Sequence, residues 1–382
     1  MNYRTHIVSS LSEIGQADWD ALVARQDRPN PFLSFAFLHA LHESGSATPE
    51  TGWQPQYIAL YAPDAHGDEQ LVAALPLYVK GHSYGEYVFD WAWADAYRRH
   101  GLDYYPKLLS AIPFTPVAGP RLLARDAHAR AALVDVLVRT QAATEVSSTH
   151  VLFPPEDQAQ QLAAAGFLLR SGVQFHWMNA GYATFDDFLA TLEQKKRKNI
   201  RAERRKVREA GVSMRRVRGR DATDEEWRFF TRCYRNTYSE HFSKPYLNLD
   251  FFRRIGRTIP DNLLLVIAER DGAPIAASLV VHDATTLYGR YWGALEHVPC
   301  LHFEAAYYQP LEFCIEQGIG VFEGGAQGEH KMARGFLPTR TWSAHWLAHP
   351  AFADAVERFL EREAGGIDDY IDELNDRSPF RT

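Results

Sequence analysis

A strand, a helix and a second strand follow one another between Leu287 and Glu323, and that succession limits the fold more than any other stretch of the chain. Leu287–Gly293 alternates and is aromatic, a helix is predicted from about His302 to Gln317, Gly318 stops it, and Gly320–Glu323 resumes as strand. This is one βαβ unit, and it places the chain in the α/β class. On a 3.6-residue period Cys300, Tyr307, Tyr308, Leu311 and Ile315 share a stripe with Glu304 in its middle. A carboxylate there faces the protein. Burying it unpaired is costly, so Glu304 must titrate high or meet Lys331, Arg334, His302 or a tyrosine hydroxyl.

The segment after the second strand reads GGAQGEHKMARG. Its glycines allow a tight, close-approach backbone, and it brings Gln327, Glu329, His330, Lys331 and Arg334 together. His330 can act as a general base near neutral pH. Lys331 offers a point charge and Arg334 a planar fork for phosphate or carboxylate. Tyr291 and Trp292 on the preceding strand, with Tyr307 on the helix, complete the candidate substrate contacts. The glycines match neither GxGxxG nor GxxxxGK[ST], so no dinucleotide or P-loop site follows.

With 382 residues, 46% of them hydrophobic, the chain can bury a large core in two domains. A net charge of −7 argues against indiscriminate binding to DNA or membranes, although a local basic patch still acts over a Debye length of about 8 Å. The three cysteines, Cys233, Cys300 and Cys314, lack CxxC spacing and are odd in number, so neither a disulfide framework nor a metal site is indicated. No signal pattern opens the chain and no run approaches the roughly 20 apolar residues of a membrane span, so a reducing cytoplasm is expected.

A second basic feature lies upstream. The stretch from 185 to 210 is predicted as one helix with Phe185, Phe188, Leu189, Leu192, Ile200 and Val207 on one side. Arg197, Arg201, Arg204 and Arg208 form a comb on the opposite side, flanked by Lys198 and Arg205, spaced to meet phosphates. Glu193 and Glu203 are the acids able to relieve repulsion along the helix. In the first half, Gly81–Pro120 reads as irregular and aromatic, with Asp90 and Arg121 as polar handles of an amphipathic cleft. The order helix, strand, helix, hairpin, helix, strand recurs in both halves, which suggests domains at 1–180 and 181–382.

The stretches NPFLSFAFLHALHESG, PFTPVAGPRLL, KKRKNIRAERRKV, LHFEAAYYQPLEFCIEQG and GAQGEHKMARGFLP together resemble the bacterial Fem-like, "peptidoglycan biosynthesis/recognition" family of predicted N-acyltransferases. That resemblance extends from about Trp19 to Phe380. It implies two tandem acetyltransferase-like (GNAT) domains, each a mixed twisted sheet flanked by helices, and acyl transfer to a small-molecule or peptide-like amine. KMARGF is similar to a lysine-containing segment of Fem-type second domains, which makes Lys331 the first choice for catalysis, with His330 or Glu304 taking the proton. Arg334, Gln327 and Glu329, and the Arg197, Lys198, Arg201, Arg204 face, are expected to hold substrate. The co-substrate implied is an acyl-CoA or an aminoacyl-tRNA, with no tightly bound cofactor. No coiled-coil arm for tRNA interrupts the second half, and GALEHVPCLHF lacks the glycine-rich, arginine-led turn that grips a coenzyme A pyrophosphate. A competing expectation is a GNAT-like module that binds an anionic glycopeptide or nucleotide-linked ligand without catalysis.

Overall fold

The computed structural model describes residues 3–325 and 328–381. The chain forms two compact units: residues 1–172 with Arg340–Asp369, and Val173–Thr339 with residues 370–382. The sequence reading placed a single cut at 180/181. The difference comes from the strand Leu337–Leu347 and the helix Pro350–Asp376, which return most of the C-terminal region to the first unit.

In the first unit, Arg4–Val8, Tyr57–Pro63, Glu69–Leu75 and Leu123–Ala124 form a four-stranded antiparallel sheet. The helix Ala127–Ala143 buries Leu133, Val134 and Leu137 against Ile58, Leu60 and Val72. A second set of strands runs Trp53–Pro55, Tyr78–Lys80, Lys107–Ser110, Ser148–Leu152 and Ser343–Leu347, with one parallel step between Lys107–Ser110 and Ser148–Leu152. The aromatic region 81–120 is ordered here as the helix Trp91–Arg99 and the strand Lys107–Ser110.

That region covers a buried charge cluster. Lys107 Nζ donates to Ser83 Oγ and Glu86 Oε2 at 2.8 Å and to Asp90 Oδ2 at 2.5 Å, and all four side chains are buried. Burial would raise the Asp90 carboxyl, but the Lys107 charge outweighs it and holds the group well below its usual range. Burial pushes Glu86 up to about 7. Tyr104 donates to Asp90 and meets His150, whose Nδ1 lies 2.8 Å from Nδ1 of His345. One of the two imidazoles must therefore donate while the other accepts.

In the second unit the sheet order is Val212–Arg218, Leu263–Arg270, Ala273–His282, Thr286–Ala294, Val321–Glu323 and the end of Leu168–Met178. The predicted βαβ unit is present: Thr286–Ala294 and Val321–Glu323 are parallel. Their ladder ends at Tyr288 and Glu323, while the first strand continues to Ala294. That strand passes tightly beneath the helix Asp224–Glu240. A Cβ on Gly293 would lie 1.9 Å from the Cys233 carbonyl oxygen, so glycine is required there. The helix predicted across 185–210 is two, Phe185–Thr191 and Gln194–Glu209, because Leu192 leaves helical geometry to pair with Phe380. The helix Leu249–Thr258 has no counterpart in the sequence reading.

Lys107 bonds two buried carboxylates, and Lys80 approaches only Glu86, at 4.0 Å, so Lys107→Met leaves Asp90 without a directly bonded cation. We expect a loss of roughly 3–5 kcal/mol of unfolding free energy by chemical denaturation, the range typical when one partner of a buried pair is removed.

Candidate active site

The basic helix Gln194–Glu209 turns Ile200, Glu203, Arg204 and Val207 inward, at the spacing i, i+3, i+4, i+7. Ile200 and Val207 are buried, and the two ionic residues between them become anchors. Arg204 forms a bidentate pair with Glu304, Nε to Oε2 at 3.0 Å and Nη2 to Oε1 at 2.9 Å, and its Nη1 reaches Glu312 at 2.6 Å. Burial alone would lower the Arg204 pKa, but bonding to Glu312 and Glu304 raises it. Glu203 receives Nη2 of Arg334 at 3.0 and 2.9 Å and the hydroxyl of Tyr308.

The comb expected from sequence is therefore divided. Arg204 faces the interior. Arg201 pairs with Asp186 at 2.9 Å on the surface, Arg197 approaches the Ala190 carbonyl at 3.5 Å, Arg205 approaches Glu209 at 3.6 Å, and Lys198 is exposed. Glu304 is buried as expected, but its partner is Arg204, with Gln309 Nε2 adding a third bond to Oε1 at 2.8 Å. Both oxygens of that carboxylate are thus engaged by Arg204 and Gln309.

Glu304 sits on an unusual helix. Leu301–Phe303 and Gln309–Gln317 are α-helical, and Glu304–Tyr308 between them is a π-helical turn, a rare feature often found at functional sites. The turn sends adjacent tyrosines in different directions. Tyr308 goes to Glu203, and the Tyr307 hydroxyl lies 3.3 Å from His330 Nε2.

The GEHKMARG segment forms a 3₁₀ helix over Glu329–Arg334. Arg334 is buried, donates to the His330 carbonyl at 2.8 Å and lies 3.4 Å over the Phe303 ring. Lys331 is 2% exposed, and its Nζ donates to the Gly325 carbonyl at 3.0 Å. No carboxylate pairs with it among the described residues, and burial lowers its pKa to about 8. His330 is held below its usual value by burial and then by Lys331 and Arg334. His302 is lowered to about 4 by burial and then by His330, Arg334 and Lys331. Glu329 is exposed, accepts from Tyr370 at 2.7 Å and approaches Arg377 at 3.8 Å. Gln327 lies outside the described residues.

A cavity of ≈ 340 Å³ adjoins this cluster, lined by Trp292, Ala294, Leu295, Glu296, His297, Cys300, His302 and Phe303 with Glu240 at one side. Trp292 packs against His302 at 5.3 Å between ring centres, and His302 against Tyr307 at 5.4 Å. Asn236 and Thr237 fix the strand end by donating to the Ala294 and Trp292 carbonyls at 2.7 and 2.8 Å. Tyr291 points away from this group and packs on Tyr234 at 5.3 Å and Phe252 at 6.1 Å, as strand alternation dictates.

Lys331, His330, Arg334, Tyr307 and Trp292 are thus gathered in the second unit, while Asp90 and Arg121 belong to the first. Arg121 is fully buried and donates to the Gly119 and Val117 carbonyls at 2.9 and 2.7 Å, a structural clamp with no open face. Burial lowers its pKa to about 9. Sequence reasoning missed Glu203 and Arg204 as interior anchors. Their inward spacing with Ile200 and Val207 was the available signal. Cys314 is buried and its thiol titrates high because of burial, consistent with an inert apolar position. No group of three or more metal-ligating side chains occurs among the described residues, and no helix there is long and apolar enough to cross a membrane.

Each of the two units is thus a mixed α/β assembly, a sheet flanked by helices. Residues 10–382 match the FemAB-like family, described as peptidoglycan biosynthesis/recognition, and the chain belongs to that family. Its fold is similar to that of FemX (12% identity, TM-score 0.57, covering 94% of this chain and 100% of that one). It is also similar to L-PGS from Bacillus licheniformis (10%, 0.51, 92% and 97%) and to a conserved protein of unknown function from Bacteroides thetaiotaomicron (14%, 0.51, 90% and 99%). No curated protein matches the chain.

Two substitutions on the basic helix should separate its faces. Arg204→Met strands the buried Glu304 carboxylate and should cost roughly 3–5 kcal/mol, whereas Arg201→Ala removes an exposed pair and should stay within about 1 kcal/mol. Denaturant midpoints of the two variants report the difference. Lys331 behaves oppositely. Its folded pKa of about 8 lies below the unfolded value near 10.5, so its cost to stability is fully present below pH 8 and is relieved as pH rises from 8 to 10.5. Lys331→Met should therefore raise the melting temperature at pH 7 and flatten its rise above pH 8.

Proposed function

We propose that this protein is an N-acyltransferase that moves an acyl or aminoacyl group from a carrier to an amine on a peptidoglycan-precursor or other peptide-like acceptor. The observation that supports it best is Lys331: a buried amine that, among the described residues, has no carboxylate partner and is tied by one hydrogen bond to a backbone carbonyl. Among the described residues no other hydrogen-bond partner meets its remaining N–H bonds, which leaves them for a ligand oxygen. Its pKa of about 8 keeps it mostly protonated at neutral pH.

The acceptor nitrogen attacks the acyl carbonyl carbon, the new C–N bond forms, and the carbonyl oxygen gains negative charge. Lys331 donates to that oxygen and stabilises it in a site where burial strengthens the interaction. His330, held neutral by burial and by its cationic neighbours, takes the proton from the amine. The intermediate then collapses, the bond from carbon to the carrier oxygen or sulfur breaks, and the proton passes to that leaving group. Tyr307, 3.3 Å from His330, orients the imidazole. Arg334 is already committed to Glu203 and Phe303 and holds the segment in place. The carrier is an acyl-CoA or an aminoacyl-tRNA, used as co-substrate.

The test is single-turnover acyl transfer with a panel of acyl-CoA thioesters and aminoacyl-tRNAs against peptide amines. Lys331→Ala should lose about 10²- to 10³-fold in rate, the usual effect of removing one preorganised donor, while the fold is kept. The rate should fall as pH rises through about 8, because the ammonium is the active form, and Lys331→Arg should lose that alkaline limb. Turnover in Lys331→Ala equal to the parent would refute the role.

A further inference from the structure

Between Ser83 and Leu102 of the first unit the usual partition of residues is reversed. Ser83, Glu86 and Asp90 turn inward to Lys107, while Tyr84, Phe89 and Trp91 turn out, at 57%, 54% and 41% exposure. Buried polar groups and exposed large rings are the exceptions that carry information. With Leu102, these rings make up four of the nine large hydrophobic side chains exposed among the described residues, so the exposure is concentrated where single scattered cases would need no explanation. We infer that this face is a docking surface for a lipid bilayer, held by the rings and oriented by two arginines. Docking there needs no transfer chemistry.

The face is built before any surface meets it. The three bonds from Lys107 fix the loop from beneath. Arg170, paired with Glu363 at 2.7 and 2.8 Å, donates to the Phe89 carbonyl at 2.8 Å. The Tyr84 and Trp91 rings lie 5.0 Å apart between centres. Little ordering therefore remains to be done on binding. The helix Trp91–Arg99 continues the face: Trp91, Asp95 and Arg98 share one stripe at i, i+4, i+7 with Arg99 beside it, and Trp93 and Tyr97 are buried on the other side. Arg98 and Arg99 are both largely exposed and share the Asp95 carboxylate. Asp103, exposed past the helix end, brings the stretch to neutrality, so the rings supply the affinity.

Residue type selects the occupant. Tyrosine and tryptophan join an apolar ring to a polar handle, which suits the headgroup depth of a bilayer, and phenylalanine and leucine suit the acyl boundary beneath it. Arginine stems lie along such a boundary while their guanidinium groups reach phosphate. A saccharide would need carboxylates beside the rings to meet its hydroxyls, and Glu86 and Asp90 are buried under the loop and bonded to Lys107.

Flotation of the full chain with vesicles tests the assignment, using phosphatidylcholine alone and phosphatidylcholine mixed with phosphatidylglycerol. The chain should float with both and prefer the mixture. Phe89→Ser/Trp91→Ser should lower the partition at least about tenfold with the melting temperature kept, because two exposed rings are lost from the interface. Tyr84→Ser should shift it in the same direction, and it reports alone if the double variant melts early. Arg98→Gln/Arg99→Gln should keep binding to phosphatidylcholine and lose the preference for the mixture. Absence of flotation, a partition that survives loss of the rings, or an anionic preference unchanged in the arginine variant would each overturn the assignment. So would a self-associated chain that Phe89→Ser/Trp91→Ser returns to monomer, which would make the face a contact between copies.

Discussion

Glu203 and Arg204, neighbours in sequence and opposite in charge, tie the second unit together. Arg204 grips the π-helical turn through Glu304 and the helix beyond it through Glu312, while Glu203 grips the 3₁₀ segment through Arg334. Taking such ions out of water is expensive, and each pair repays that only with near-ideal bidentate geometry. Arg204 meets Glu304 in that way through two nitrogens, whereas Arg334 reaches both oxygens of Glu203 through Nη2 alone and is steadied further by the Tyr308 hydroxyl on the same carboxylate. One helix thus sets the positions of two segments far apart in sequence, and Lys331, His330 and Tyr307 inherit their places from it.

That arrangement separates residues that hold from residues left open. Glu304 and Arg204 have every oxygen and nitrogen of their charged groups engaged, and Arg334 is held by Glu203, the His330 carbonyl and the Phe303 ring, which fits all three for support. Lys331 has one carbonyl contact and a depressed pKa, a state that lowers stability and is retained only where the surroundings impose it. Burial acts alike on His302, His330 and His176, holding all three imidazoles below their usual pKa, with Lys331 adding to the effect on each. A single buried cation therefore influences the protonation of most of the groups around it.

Much of this was legible in the sequence. The βαβ unit, the burial of Glu304 and the concentration of chemistry in EHKMAR follow from periodicity and residue type. The Fem-like resemblance extended that to the tandem fold. The missing parts have physical causes. Leu192 breaks the basic helix because it pairs with Phe380, a contact no local pattern encodes. Treating 185–210 as one helix then carried the apolar side of the first turn past the break and put Arg204 on the wrong face. Asp90 and Arg121 were read as cleft residues because aromatic-rich sequence suits a cleft and a core equally. In the structure both are buried, and their partners are internal.

The π turn has a consequence for how this site can change over time. Eight residues of regular α-helix advance by about 800°, which would set Glu304 and Glu312 some 80° apart around the axis. The wider turn at Glu304–Tyr308 reduces that rotation and lets both carboxylates reach one guanidinium. Regularising this turn at its present length would swing everything after it by about a quarter turn and uncouple Glu312 from Arg204, whereas loss of one residue would leave seven regular residues between the two glutamates, about 700°, and keep them nearly aligned. The π turn thus absorbs one residue more than a regular helix would place between these two glutamates, and the turn and that extra residue can be kept or lost only together.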